Sequence, residues 1–198
     1  MDTPVQLIVG LGNPGPKYDR TRHNAGADFV MALAKSLNAE LKHESKFFGD
    51  TGKVTIENHP VRLLIPTTFM NRSGQAISAI ARFYQIPTEA ILVVHDELDL
   101  QPGTAKLKKG GGHGGHNGLR DTIQSLGNNK NFARLRIGIG HPGHASQVVD
   151  YVVKKASLED QALIAESIDE AIRTLPLAVS GKWEKAMTQL HSNNGTAS

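Results

Sequence analysis

Short apolar runs alternate with segments of helical periodicity along this chain, and this alternation restricts the fold more than any other feature. Apolar residues recur at helical spacing in residues 30–37, 77–84 and 164–175. Runs typical of buried strands occupy residues 5–9, 61–65 and 90–94, and half-covered strands are expected at residues 51–57 and 135–139. Because the strands and helices interleave, the sequence predicts an α/β domain with helices on a largely parallel or mixed sheet. Its ligand site is expected beyond the strand ends.

The C-terminal third of the chain is expected to be helical. Ser157 and Asp160 resemble a helix-starting box, and Pro176 is expected to kink or end that helix before another begins over residues 182–191. Residues 192–198 are small and polar and are predicted to form a short frayed tail. We therefore expect one domain over residues 1–191, followed by this tail.

The complete absence of cysteine excludes a disulfide framework, a thiolate zinc site and a cysteine nucleophile. A chain of 198 residues has the normal size of one domain and can bury a core without disulfides or structural metal. No apolar stretch approaches the ~18 residues that a membrane-spanning helix needs, and residues 1–10 lack the features of a signal peptide. The expectation is a soluble protein of the cytoplasm.

Positive charge is concentrated in one part of the chain. Residues 104–155 contain nine basic residues but only two acidic ones, whereas residues 156–198 contain three basic and six acidic residues. This local excess indicates a surface that faces a polyanion, with phosphate as the usual candidate. Lys106 and Lys108 are expected to share one face of a strand. An ordinary solvated surface is the alternative interpretation.

Loops rich in Gly, Asn, His and Asp follow several of the expected strands. Residues 10–15, 94–99 and 110–118 each come after a strand, and residues 69–74 open the second helix. Such loops are where a rigid α/β scaffold usually carries its functional residues.

The first of these loops matches the pattern G-x-G-x-x-G, which makes dinucleotide binding a rival interpretation. Pro14 and Pro16 remove backbone donors that a pyrophosphate would need, so they weaken it. Residues 29–39 also lack the acidic residue that would hold the ribose. The glycines are expected to make a tight turn in either case.

His23 and Asp96 are the candidate catalytic pair. Asp96 follows the apolar run 91–94, so its carboxylate is expected at a strand end, where it could orient an imidazole. No serine, threonine or cysteine lies in a nucleophile elbow, so such a pair would have to activate water. A capping or surface role for His23 is the alternative.

A zinc site built on His113 and His116 is not expected. Their Gly-Gly spacer is not helical, no H-E-x-x-H pattern is present, and further ligands cannot be assigned.

Asn13, Asn71 and Asn117 recur beside glycine in three separate loops. Each could serve turn geometry alone, because asparagine tolerates left-handed backbone. Together, three amides would be suited to holding an amide or ester substrate, since each offers donors and an acceptor without adding charge.

Taken together, the motifs of this chain resemble those of the bacterial peptidyl-tRNA hydrolase family, over about residues 5–190. The resemblance is carried by Tyr18 and by six segments in the family's order: GLGNPG (10–15), TRHNAG (21–26), PTTFMNRSG (66–74), HDELDL (95–100), GGGHGGHNG (110–118) and RLRIGIGHPG (134–143). It implies one α/β domain with a twisted mixed sheet surrounded by helices. It also implies a cytoplasmic, metal-independent monomer without a cofactor, which hydrolyses the ester between a peptide and the 3′ ribose of tRNA.

The resemblance also implies roles for individual residues. His23 matches the family's catalytic base, and Asp96 matches the carboxylate that holds it. The matching substrate-binding positions are Asn13, Tyr18, Phe69, Met70, Asn71, Gly114, His116 and Asn117. Lys106, Lys108 and Arg136 match basic positions that meet tRNA phosphate.

One loop departs from the family pattern. Many members carry lysines after the HPG turn, whereas this chain has uncharged residues at 145–147 after His144, which leaves a phosphate contact from that loop open. Lys154 and Lys155 are candidates to compensate. A non-catalytic RNA-binding relative is the second interpretation of the whole chain, and the presence of the complete set of His, Asp and Asn residues argues against it.

Overall fold

A seven-stranded mixed sheet organises the structure, a computed structural model that describes residues 3–194. The strands are β1 (Leu7–Gly10), β2 (Lys42–Glu44), β3 (Gly49–Ile56), β4 (His59–Pro66), β5 (Ile91–Glu97), β6 (Ala105–Lys109) and β7 (Ala133–Gly138). The helices of the described residues are α1 (Ala25–Ser36), α2 (Ser73–Phe83), α3 (Asn117–Ser125), α4 (Val148–Val152), α5 (Leu158–Val179) and α6 (Trp183–Asn194).

The strand order is β2-β3-β4-β1-β5-β7-β6. β4, β1, β5 and β7 are parallel, and the outer strands β2, β3 and β6 run antiparallel to their neighbours. The predicted α/β domain with a mixed sheet is therefore confirmed. Because β1 and β5 are parallel and adjacent, with Gly10 opposite Val94, the loops that follow them emerge at the same edge of the sheet.

One apolar layer covers each face of the sheet. Ile8 and Val94 point to the layer formed with α1, α5 and α6, which includes the buried Trp183. Leu7 and Val93 point to the layer formed with α2 and α3. Successive residues of each central strand are thus buried on opposite faces, as parallel strands covered on both sides require.

Helix α1 approaches the sheet through two glycines. A Cβ at Gly10 would overlap the carbonyl oxygen of Gly26, and a Cβ at Gly26 would overlap the carbonyl oxygen of Val94. Only glycine permits this close backbone approach. The contact fixes the turn before α1, which contains His23, against the ends of β1 and β5.

The C-terminal helices differ in their bounds from the sequence expectation. Pro176 lies inside α5, which continues to Val179, so the proline does not end the helix at its own position. The helix persists because the buried Leu175, Ala178 and Val179 belong to the apolar layer. Its start agrees with the prediction, since the Ser157 hydroxyl accepts a hydrogen bond from the Asp160 N–H at 3.1 Å.

The final helix α6 continues to Asn194, which is beyond the predicted start of the tail. The rest of the predicted tail, residues 195–198, lies outside the described residues. Among residues 3–194, no helix combines the length and the apolar character needed to cross a bilayer.

Candidate active site

A cavity of about 490 Å³ opens where the loops after β1 and β5 meet the Gly-rich loop (residues 110–118). All the predicted catalytic and substrate-binding residues except Tyr18 line it: Asn13, His23, Phe69, Met70, Asn71, Asp96, Gly114, His116 and Asn117. The fold therefore brings five separate sequence segments to one site.

His23 lies in a single turn of 3-10 helix immediately before α1, and its Nδ1 is 2.8 Å from Asp96 Oδ2. Since the carboxylate only accepts, Nδ1 carries the proton, and Nε2 is the basic nitrogen. Burial lowers the pKa of His23, but the charge of Asp96 and its hydrogen bond raise that pKa more, so it lies above the ordinary value of 6.5.

The other oxygen of Asp96 binds His116, whose Nε2 is 2.8 Å from Oδ1. His116 Nδ1 accepts hydrogen bonds from the N–H groups of Gly118 and Leu119 at the start of α3, so Nε2 must be the protonated nitrogen that donates. Burial alone would raise the pKa of Asp96, but the two imidazoles hold it well below its usual range. Asp96 is therefore an ionised, buried carboxylate between two imidazole donors.

His95, the neighbour of Asp96 in β5, is also buried, and its ring lies edge-on to His116 at 5.2 Å between centroids. Its Nδ1 is 2.8 Å from the carbonyl oxygen of Asp96. Burial and the neighbouring His116 lower the pKa of His95 to about 4, so its ring is neutral near pH 7.

Among the described residues, His23, Asp96 and His116 form a group whose potential ligand atoms lie within 4.8 Å of one another. Two ligands of a tetrahedral zinc ion, each bound at ~2.0–2.2 Å, are separated by roughly 3.4 Å. Both imidazoles instead contact the carboxylate at 2.8 Å through protonated nitrogens, which is hydrogen-bond geometry. The arrangement fits a hydrogen-bonded His-Asp-His triad better than a metal site.

Asn13 is held by two neighbours. Its N–H donates to Asn24 Oδ1 at 2.8 Å, Asn24 Nδ2 donates back to its carbonyl oxygen at 2.9 Å, and its own Oδ1 accepts from the Met70 N–H at 2.7 Å. The side-chain NH2 of Asn13 has no partner among the described residues and is free for a substrate. The sequence interpretation assigned no role to Asn24, although it lies within the TRHNAG motif.

The other two asparagines lie on the rim of the cavity. Asn117 opens α3, and its Oδ1 accepts from Arg120 at 2.8 Å, which leaves its NH2 group as a donor. Asn71 is exposed, and its side chain has no partner among the described residues. The three amides therefore surround the cavity with donors that the protein itself does not use.

An aromatic side chain forms one edge of the cavity. Phe69 is 58% exposed although it lies beside the buried Met70, and Tyr18 packs against it edge-on at 6.3 Å between ring centroids. Tyr18 itself is outside the cavity lining and supports Phe69 from behind. Val149 of α4, which also lines the cavity, is 77% exposed.

The predicted phosphate residues lie on one face of the sheet. Lys106 and Lys108 of β6 stand opposite Arg136 and Arg134 of β7 in the antiparallel register. Lys108, Arg134 and Arg136 line a cleft of about 290 Å³ that adjoins the cavity. Lys106 lies outside that lining. Arg136 is partly engaged, because its Nε donates to Glu97 Oε1 at 2.9 Å.

Arg134 has a function in the loop that sequence reasoning missed. It is only 2% exposed, and it donates to the carbonyl oxygens of Gly111, Gly112 and Lys130. Its guanidinium also lies over the ring of Phe132 at 4.2 Å. Arg134 therefore ties the Gly-rich loop to the sheet rather than facing a ligand.

The segment that departs from the family pattern forms a 3-10 turn, Ala145–Gln147, and Ala145 lines the cavity. Lys154, a candidate to compensate for its missing lysines, is bound to Asp150 at 2.6 Å. Its charge is thus partly neutralised within the chain.

A sequence model of the family described as peptidyl-tRNA hydrolase matches residues 7–197. This chain belongs to the peptidyl-tRNA hydrolase family. The family resemblance and the hydrolase class expected from the sequence are thereby confirmed. The chain is 57% identical to a peptidyl-tRNA hydrolase of Tolumonas auensis over 197 residues, with all of both chains covered. It is 60% identical to one of Teredinibacter turnerae over 192 residues, which cover 97% of this chain and all of that protein.

A crystal structure of the family has the same fold. Peptidyl-tRNA hydrolase from Acinetobacter baumannii superposes with a TM-score of 0.91 at 52% identity, and the match covers 94% of each chain. The fold of this chain is therefore that of the family.

Proposed function

We propose that this protein hydrolyses the ester between the peptide and the 3′ ribose of peptidyl-tRNA, with His23 as the general base. The observation that carries the proposal is the His23–Asp96 hydrogen bond in the cavity, which leaves the basic Nε2 of His23 available. An ester carbonyl needs an attacking water, a base for its proton and donors for the developing oxyanion.

In the proposed reaction, His23 Nε2 takes a proton from water as the water oxygen attacks the ester carbonyl carbon. The tetrahedral intermediate collapses by breaking the bond between that carbon and the ribose 3′ oxygen. The imidazolium of His23 then returns the proton to the leaving 3′ oxygen. Asp96 stays ionised throughout and stabilises the imidazolium, as in other His-Asp pairs.

The amide NH2 groups of Asn13, Asn71 and Asn117 are proposed to bind the peptide and to stabilise the oxyanion. Phe69, backed by Tyr18 and beside Met70, would stack on the terminal adenine. The remaining substrate-binding residues, Gly114 and His116, belong to the loop that closes this side of the cavity.

We further propose that Lys106, Lys108 and Arg136 bind tRNA phosphate. Lys108 and Arg136 line the cleft beside the cavity, and Lys106 stands opposite Arg136 on the same face of the sheet. The partner is peptidyl-tRNA, and no cofactor takes part in the steps above. We propose that the protein acts as a cytoplasmic monomer formed by one catalytic domain. Light scattering at working concentrations checks the oligomeric state.

The test is turnover of peptidyl-tRNA by the wild type and by His23→Asn. Loss of a general base typically costs ~100- to 10,000-fold, so the variant should be nearly inactive. It should still bind tRNA, because His23 is not among the residues that line the basic cleft, the cleft of Lys108, Arg134 and Arg136. Near-normal turnover by a folded His23→Asn protein would remove His23 from the base role.

A further inference from the structure

His95 lies where the cavity and the basic cleft meet, since its side chain lines both. It is 3% exposed, and in the sheet it stands opposite Arg136. Because neighbouring residues of a strand point to opposite faces, His95 shares the face of the basic residues, whereas Asp96 points toward His23. The mechanism above gives His95 no role.

The ring of His95 presents an acceptor. A carbonyl oxygen only accepts, so the bond to Asp96 O places a proton on Nδ1 of His95. The ring is neutral near pH 7, and its Nε2 therefore carries a lone pair. That nitrogen has no hydrogen-bond partner among the described residues. Among the described residues, the side-chain atoms that are fully buried without a hydrogen-bond partner are Arg22 Nε, Thr68 Oγ1 and Arg134 Nε. His95 Nε2 is not one of them, so this unpartnered nitrogen is accessible to solvent.

Because His95 Nε2 can only accept a hydrogen bond, its partner must be a donor. Phosphate oxygens and ester carbonyls cannot pair with it, whereas hydroxyl and N–H groups can. Near the scissile ester, peptidyl-tRNA offers the ribose 2′-hydroxyl, on the carbon adjacent to the one that bears the ester oxygen, and the N–H groups of the peptide. His95 stands on the side of the basic cleft, where tRNA phosphate is proposed to bind.

We infer that His95 Nε2 accepts a hydrogen bond from the 2′-hydroxyl of the 3′-terminal ribose, which makes His95 a specificity-determining residue for ribonucleotide esters. This inference rests on the proposed function, because it places the ester at His23. The 2′-hydroxyl is what distinguishes RNA from DNA at such a position.

The experiment combines two enzymes with two substrates. The substrates are N-acetylaminoacyl 3′-esters of a short oligoribonucleotide, with either a ribose or a 2′-deoxyribose at the terminal position. The enzymes are the wild type and His95→Asn, whose amide can keep the bond to Asp96 O but cannot reach the position of Nε2. His59→Asn is the matched control, because His59 is the first residue of β4 and the site lies at the opposite ends of the parallel strands.

Removal of the 2′-hydroxyl should lower kcat/KM in all three proteins. The decrease should be about three- to tenfold larger for the wild type and His59→Asn than for His95→Asn, which is the range expected for one hydrogen bond. Equal penalties in all three proteins would overturn the inference. A third substrate replaces the peptide N–H by oxygen. If His95→Asn reduces the penalty for losing that N–H, and not the penalty for losing the 2′-hydroxyl, the inference is also overturned.

His95→Gln provides a second measurement, because its side chain places a carbonyl oxygen near the position of Nε2. A folded His95→Gln protein should keep a deoxy penalty close to that of the wild type, and loss of the penalty would contradict the inference. A wild type that fails to cleave even the ribose ester would instead count against the proposed function.

Discussion

Asp96 accepts a hydrogen bond from His116 through Oδ1, at 2.8 Å, and so retains Oδ2 for the base. The carboxylate is thus fixed from a direction that the catalytic pair does not use. Ionised groups are held strongly by such bonds, which are worth about 1.5–3 kcal/mol each. The geometry of the base therefore depends on the Gly-rich loop as well as on the sheet.

His116→Ala should lower kcat by about ten- to a hundredfold, because Asp96 loses the hydrogen bond that fixes it. It should also destabilise the fold by about 1 kcal/mol, since the imidazole caps α3. His116→Asn is the informative comparison, because asparagine is a good N-cap but cannot reach Asp96. Steady-state kinetics and thermal unfolding should show stability restored and kcat still low. Normal kcat in both variants would mean that this bond is dispensable.

The pH dependence of kcat/KM should report the pKa of His23. The base must be neutral, so activity should rise with pH through a pKa above 6.5 and be lost below it. In Asp96→Asn the raising effect of the carboxylate is gone while burial still lowers the pKa. The acid limb should then move to lower pH, together with a reduced maximal rate. A limb that moves upward, or stays fixed, would contradict the electrostatic assignment.

Arg134→Met should lower the free energy of unfolding by about 2–4 kcal/mol, because three carbonyl oxygens lose their buried donor. Arg134→Lys should recover only part of this loss, since an ammonium cannot span the carbonyls of two consecutive glycines as a guanidinium does. Urea denaturation measures both. Lys130→Ala, which retains its backbone carbonyl, should match the wild type. Unchanged stability of Arg134→Met would show that the loop is held by other contacts.

Lys108→Ala and Arg136→Ala should raise KM for tRNA substrates but leave a minimal ester that lacks the bound phosphate almost unaffected. Each lost phosphate contact should flatten the log-log salt dependence of tRNA binding by roughly one unit. The effect of Arg136→Ala should be the smaller, because Glu97 already engages that guanidinium. Lys42→Ala, at the far end of the strand order, is the control. Equal defects on the minimal ester would assign these residues to the fold of the site.

The sequence predicted the alternation of strands and helices and the loops that carry the site, because both follow from local residue patterns. It could not predict that His116 binds Asp96, which lies 20 positions away, since the contact depends on how the Gly-rich loop folds back. The motif around His116 indicated only that it faces the substrate.

The burial of Arg134 could not be predicted, for a different reason. It lies among basic residues that alternate along β7, so the pattern gave it the same expected exposure as Arg136. Only the course of the loop over the sheet buries one arginine and leaves the other beside the cleft. Asn24 likewise acts on Asn13 through a turn whose geometry no spacing rule describes.

The distance between His23 and Asp96 is set by the main chain, because the glycine contact fixes how closely α1 approaches the sheet. Neither Gly10 nor Gly26 contributes an atom to the chemistry, and yet a single methyl group at either position would force the helix outward and carry the base with it. Alanine at these two positions should therefore be as harmful to turnover as changes at the catalytic residues, and a compensating change in the cavity could not restore it.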